Sequence, residues 1–141
     1  MEGYAALHHV PIINERGRQA FLQVVQEAKP HRVLEIGTAI GYSSLLMAQN
    51  GAADIDITTL ELSDERIKTA QGYIDRSAYA DRIHIMGGDA AENLLKLQLK
   101  RLNRRITAER FGTIKETFFI VGINYDKDSK VHQCLIEKYH N

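Results

Sequence analysis

The chain has 141 residues, with 18 basic and 18 acidic side chains and a formal net charge of zero. That length fits one small domain, and the balanced charge excludes both a disordered tail and a generally basic nucleic-acid binder. A hydrophobic fraction of 44% is enough for a core, yet no apolar run approaches the ~20 residues of a membrane-spanning helix.

The N-terminus, Met1-Glu2-Gly3-Tyr4, has no basic segment leading into an apolar one and does not read as a signal peptide. Residues 1–30 read as an N-terminal helical segment. Within it, Ala20, Phe21, Val24, Val25 and Ala28 recur at helical spacing, which predicts a helix from Glu15 to Ala28 with one buried stripe. Pro30 ends it, because proline disfavours helix in the residue before it. Arg32 to Ile36 is short, apolar and β-branched, and predicts a buried strand. Gly37 to Gly41 is a loop, and Tyr42 to Asn50 is a helix closed by Gly51.

Ile55 to Leu62 predicts a second strand. A helix capped by Ser63 or Asp64 follows to about Arg76, with Ile67, Ala70, Tyr73 and Ile74 turned inward. Arg82 to Met86 is a third strand, Gly87-Gly88-Asp89 a turn, and Ala90 to about Leu102 a leucine-rich helix. Thr117 to Ile123 is a fourth strand; over Val131 to Tyr139 periodicity does not decide between helix and strand. Cys134 has no partner for an internal disulfide, so a reducing cytoplasm is the expected compartment.

Strands alternating with helices imply parallel pairing through crossovers. The expected fold is α/β: a Rossmann-like, three-layer αβα sandwich over residues 31–141 with a mostly parallel sheet. In such sheets ligands bind beyond the carboxyl ends of the strands, beside the switch point.

The chemistry-bearing residues fall at those ends. In Glu35-Ile36-Gly37-Thr38-Ala39-Ile40-Gly41-Tyr42-Ser43, Gly37 lets the chain turn and approach a ligand without a Cβ in the way. Gly41 permits close packing at the helix start. The amides of that helix terminus favour a carboxylate, and Glu35 is a candidate acceptor for a ligand ammonium, directly or through water. The spacing is not the three-glycine dinucleotide pattern. Glu61 closes the second strand, where an acid accepts from two vicinal ribose hydroxyls. Asp89, in Gly88-Asp89-Ala90, stands where an adenine amino group would be accepted. Either acid alone also suits a helix cap; together with the glycine loop they point to S-adenosylmethionine.

Val33 to Ser43 resembles the first motif of the cation-dependent O-methyltransferases related to catechol and caffeoyl-coenzyme A O-methyltransferases. Thr59-Leu60-Glu61 with Glu65-Arg66, Gly88-Asp89-Ala90 with Asn93-Leu94, and His9-Val10-Pro11-Ile12-Ile13 are similar to further segments of that family. Among its members the likeness leans to the bacterial tRNA 5-hydroxyuridine methyltransferases, and it covers about residues 1–95. The resemblance implies that Glu35, Gly37, Thr38, Gly41, Tyr42 and Ser43 line the methionine end of the cofactor. It also implies that Glu61 holds the ribose, that Asp89 and Ala90 face the adenine, and that Pro11-Ile12-Ile13 lies near the acceptor. The implied reaction is in-line methyl transfer to a hydroxyl of a small aromatic molecule or of tRNA wobble 5-hydroxyuridine, with a magnesium ion lowering the hydroxyl pKa.

Residues 96–141 depart from that pattern. Where the family's fourth strand ends in a metal-binding Asp, this chain offers Asn124 or Asp126, and the later Asp-Asn pair has no counterpart. Relative to a seven-stranded methyltransferase the fold is expected to be C-terminally truncated; metal ligands and catalytic residues stay unassigned. Ala108 to Phe111 and Phe119 to Asp126 resemble the C-terminal strand of PD-(D/E)XK nuclease-like domains, without that family's catalytic acids and lysine. The basic run Lys96, Lys100, Arg101, Arg104, Arg105, Arg110 and Lys115 suits tRNA phosphates or a solvated helix face. His8-His9 reads as surface or acceptor pocket, and Tyr42 and Tyr73 as packing groups. A homodimer is expected if the shortened sheet exposes apolar surface. Two further readings stay open: a non-catalytic cofactor-binding or interaction module, and a fragment related to an ATPase-associated nuclease-like protein.

Overall fold

The computed structural model describes residues 1–98, 117–125 and 132–140. Two helices open the chain, α1 (Glu2–Leu7) and α2 (Glu15–Ala28), followed by β1 (Arg32–Ile36), α3 (Tyr42–Asn50), β2 (Asp56–Glu61) and α4 (Asp64–Asp75). A 3-10 turn (Ala80–Arg82) leads into β3 (Ile83–Gly87), and a helical stretch over 90–98 follows as α5. β4 (Thr117–Tyr125) and β5 (His132–His140) complete one sheet of order β3-β2-β1-β4-β5. The segment 132–140, which periodicity left open, is therefore a strand.

β1 pairs in parallel with both β2 and β4, and β2 with β3, while β5 runs antiparallel to β4. Parallel neighbours need crossovers, and α3 and α4 supply them for β1–β2 and β2–β3. The order reverses between β1 and β4, so the crevice expected of an open α/β sheet lies at the carboxyl end of β1. This is the α/β, Rossmann-like fold predicted.

Local signals explain the elements. Asn14 caps α2 by accepting from Gly17 N at 2.9 Å, and Lys29 closes that helix in the left-handed region at φ 42°. Ser63 is the N-cap of α4, with Asp64 and Glu65 in its first turn. Val33, Ile57 and Ile83 stand in register across three strands, on one sheet face. Phe21 and Val25 of α2, Met47 and Ala48 of α3, and Ala70 and Ile74 of α4 join them in one buried cluster.

Four expectations need correction. β1 alternates between buried and half-buried residues, because the face carrying Leu34 and Ile36 is only partly covered. On α4 only Ala70 and Ile74 are buried; Ile67 and Tyr73 sit at the margin of the contact stripe. On α2, Ala20 and Val24 are exposed, since α2 buries a narrower stripe than its apolar residues mark. The second strand is also shorter at both ends than the apolar run, because Ile55 and Leu62 lie in the connecting loops. Residues 99–102 of the leucine-rich helix, the basic run from Lys100 to Lys115, and Asp126 lie outside the described residues.

Candidate functional site

The loop between β1 and α3 is built on alternate left-handed residues: Gly37 at φ 93°, Ala39 at 50° and Gly41 at 81°. Its first amides are pinned to the neighbouring strand, Gly37 N donating to Leu60 O at 2.9 Å and Thr38 N to the same oxygen at 3.1 Å. A Cβ placed on Gly37 would meet no atom within 4 Å, so the chain here borders open space. A Cβ on Gly41 would lie 3.5 Å from Ala70 Cβ and from Ile74, so this glycine seats the start of α3 against α4. Gly37 thus turns the chain beside open space, and Gly41 lets α3 pack closely on α4.

Glu61, at the carboxyl end of β2, is 7% exposed. Its Oε2 accepts from Ala39 N at 2.8 Å, and its Oε1 accepts from Leu62 N at 3.1 Å and Ser63 N at 3.0 Å. The carboxylate thus bridges the glycine loop and the start of α4, and its backbone carbonyl accepts from Gly88 N at 2.9 Å. That last bond brings the turn after β3 to the same edge. Asp89 is exposed beside that turn and accepts from Glu92 N at 3.1 Å, so it also caps α5. Ala90, half-buried, begins α5. Asn93 is buried and donates to Gly87 O at 3.1 Å, holding the turn.

Glu35 is placed differently from its neighbours in the motif. It is 0% exposed and lies on the same strand face as Val33, the face that α3 covers. Ser43 and Ser44 each donate a hydroxyl hydrogen bond to it, and Thr59 Oγ1 donates at 2.6 Å. Thr59 and Thr38 share a further bond of 2.7 Å. Burial pushes the Glu35 carboxyl above the usual carboxylate range, against the hydroxyl bonds that pull it down; the Glu61 charge adds to the rise. Both its oxygens are thus taken up by these hydroxyls beneath the loop. The signal was available: strand residues two apart share a face, and Val33 already marked that face as interior.

The remaining motif residues converge. Thr38 and Ser43 are buried beneath the loop, and Tyr42 is half-buried at the start of α3. Tyr42 is no mere packing group: its hydroxyl donates to Glu2 at 2.5 Å and accepts from Arg18 at 3.0 Å. Arg18 also donates to Glu2 at 2.6 Å, so α1, α2 and α3 are joined at one point. Desolvation raises the Tyr42 pKa, and the Tyr42 bond, then Arg18, holds the Glu2 carboxyl below its usual range.

Two cavities flank this point. One, of about 510 Å³, runs between α1 and α4 and is lined by Tyr4, His8, Ile40, Glu61, Leu62 and Arg66, among others. The other, of about 450 Å³, is lined by Ala5, His9, Val10, Pro11, Ile12 and Arg18, among others. His8 stacks on Tyr4 at 4.1 Å, and Tyr73 meets Tyr4 edge-on at 6.3 Å. Sequence reasoning missed the lining roles of Tyr4, Ile40 and Leu62. Leu62 is 70% exposed at the mouth of Glu61, and its place directly after the strand-ending acid was the one signal available. Among the described residues no group of three or more His, Cys, Asp or Glu is placed to hold a metal, and none of the helices is long and apolar enough to cross a membrane.

A mostly parallel sheet with a glycine loop at its switch point and acids at the ends of its strands is the arrangement of the class I, Rossmann-like methyltransferase fold. The sequence model of the O-methyltransferase family matches residues 5–132, and the chain belongs to that family. The chain is similar to the catechol O-methyltransferase of Sus scrofa, at 31% identity over 77 residues, covering 55% of this chain and 41% of the relative. It is also 36% identical over 59 residues to a tRNA1(Val) (adenine(37)-N6)-methyltransferase of Bacteroides thetaiotaomicron, covering 42% of this chain and 25% of the relative. Among solved structures, a Staphylococcus aureus protein assigned as a caffeoyl-CoA O-methyltransferase superposes with a TM-score of 0.63 at 29% identity, over 67% of this chain and 45% of that one. The O-methyltransferase of Bacillus cereus, solved in complex with SAH, gives a TM-score of 0.64 at 20% identity, over 89% of this chain and 64% of that one. The chain spans well under half the length of the curated relatives it matches.

Proposed function

We propose that this chain binds S-adenosylmethionine along the carboxyl edge of its sheet and serves methyl transfer to a hydroxyl of a small aromatic acceptor. The observation that carries the reading is the pairing of open space at the Gly37 Cα with the Glu61 carboxylate held 2.8 Å from Ala39 N across the same loop. Bound there, the cofactor supplies an electrophilic methyl group on a sulfonium. Gly37, Thr38, Gly41, Tyr42 and Ser43 form the wall for the methionine end, and the first amides of α3, which lack intrahelical acceptors, favour its carboxylate. Glu61 exchanges loop amides for vicinal ribose hydroxyls, Leu62 offers an apolar face to the base, and Asp89 with Ala90 receives the adenine edge.

The cavity beside Pro11 and Ile12, about 450 Å³ and lined by apolar residues together with Glu2, Glu15 and Arg18, has the size of a small-ligand site. Its size suits a small aromatic acceptor. The resemblance also implies a divalent cation, but the described residues do not assemble a ligand set for one. What these residues supply to the reaction is positioning of cofactor and acceptor.

The test is calorimetric titration with S-adenosylmethionine, followed by transfer of labelled methyl to a catechol or to a 5-hydroxyuridine-containing tRNA, with and without magnesium. Saturable binding and catechol labelling support the reading. Labelling of the tRNA alone reassigns the acceptor. Binding without transfer to either leaves a non-catalytic cofactor-binding module, and no binding removes the proposal.

A further inference from the structure

The short helix α1 meets the proposed ligand edge at both of its ends. At its start, Glu2 accepts from the Tyr42 hydroxyl at 2.5 Å and from Arg18 at 2.6 Å. Tyr42 opens α3, one residue before Ser43 in the wall read for the methionine end. Towards its close, Tyr4 and His8 stack at 4.1 Å. Both rings line the cavity of about 510 Å³ that Ile40, Glu61 and Leu62 also line, a volume in the small-ligand range. Glu61 and Leu62 are the residues read for ribose and base, so the aromatic pair and the nucleoside contacts share one cavity. Leu62, 70% exposed with α1 docked, is apolar surface that a bound base would cover. Beyond the rings, Val10 N donates to Ala5 O at 2.9 Å and His9 stands in the left-handed region at φ 52°. That closed turn is the hinge between α1 and the Pro11 segment.

We propose that α1 is a ligand-linked strap: its Tyr4–His8 pair walls the nucleoside pocket, and Glu2, acting through Tyr42, is the positioning residue that latches it there. Six residues have little hold of their own. Ala5 is the one buried residue of α1, and the latch and the ring contacts supply the rest. A nucleoside in the cavity gains contacts with Tyr4 and His8 that exist only while α1 is docked; an aromatic ring suits any base, since every base has a π-face. Ligand therefore favours the docked helix, and by reciprocity the docked helix favours ligand by the same factor. The Tyr42 hydroxyl carries the linkage to the first turn of α3, whose amides would face a ligand carboxylate.

The strap rests on the binding site proposed above, and the two fail differently. Hydrogen exchange at residues 2–7 of the full chain is followed with and without S-adenosylhomocysteine. Affinity for that ligand and for adenosine is measured by calorimetry in the unaltered protein, Glu2→Ala, Tyr4→Ala and Tyr4→Phe. Exchange in α1 proceeds by local opening, and ligand is expected to raise protection there by about fivefold or more. Glu2→Ala and Tyr4→Ala are each expected to weaken both ligands by about fivefold or more, while Tyr4→Phe, which keeps the ring, stays within about twofold. Urea midpoints should hardly move, because the core cluster of α2, α3 and α4 includes no residue of α1; lost affinity is then not lost fold. Ligand that binds and leaves exchange at residues 2–7 unchanged overturns the strap, even where an alanine variant fails to fold. Unchanged affinity in either alanine variant overturns it too, as does a loss in Tyr4→Phe equal to that in Tyr4→Ala. In each of these cases the binding-site reading stands. Absence of binding to the unaltered protein removes that reading and the strap with it.

Discussion

At Gly37 the backbone takes φ 93° with open space where a side chain would point. An alanine there meets no clash but bears the left-handed penalty of roughly 1–2 kcal/mol and intrudes on the ligand side. Gly37→Ala is therefore expected to fold, with a lowered denaturation midpoint, and to lose ligand affinity in calorimetry out of proportion to that change. Ala39 already occupies the left-handed region at φ 50°, its amide held by Glu61. Ala39→Gly relieves that strain, and a gain of up to about 1 kcal/mol in denaturant unfolding is expected. Glu61→Ala removes the acceptor of three amides and the proposed ribose contact together. Loss of binding is expected in this variant, and unchanged affinity would show that the ribose lies elsewhere.

Among the elements, α1 depends most on tertiary contacts. Six residues are too few to sustain a helix alone. Burial of Ala5, the stacking of Tyr4 on His8, and the Glu2–Tyr42–Arg18 junction hold it over both cavities. The Glu2 carboxyl is held below its usual range, first by the Tyr42 bond and then by Arg18. A depressed carboxylate pKa gives stability that is present above the unfolded value and lost as pH falls through the folded one. The protection factors of the amides of residues 2–7, corrected for intrinsic exchange, should therefore fall on acidification below about pH 4.5, the ordinary glutamate range, and Tyr42→Phe should bring the same loosening at neutral pH. For α2, Asn14→Ala removes a 2.9 Å cap and should cost about 1 kcal/mol in thermal unfolding.

Over the whole molecule, stability rests on the layer in which α2, α3 and α4 cover Val33, Ile57 and Ile83. Ile74, fully buried, also meets the position where a Cβ on Gly41 would stand, so core and loop share one contact. Ile74→Ala is expected to cost about 2–5 kcal/mol in denaturant unfolding and to loosen the loop with it.

Much of this was legible in the chain because βαβ units announce themselves locally. Apolar runs bounded by glycine, and caps such as Asn14 and Ser63, are set by neighbours in sequence. The segment 132–140 was not legible, because its strand state depends on pairing with β4. Glu35 was half-legible: its place in the motif was plain, while its enclosure needed Ser44 and Thr59, which are brought to it by α3 and β2.

The sequence by itself determined the order of strands and helices, the bend at Gly37 and Gly41, and the acids that close β2 and follow β3, since each depends on residues a few positions apart. Tertiary structure alone decided that β4 lies beside β1 and that β5 turns back against it. It also decided that one of the three acids faces inward to hydroxyls while another grips the loop. Those outcomes depend on which strands pair and which face a helix covers, and residues distant in the chain settle both.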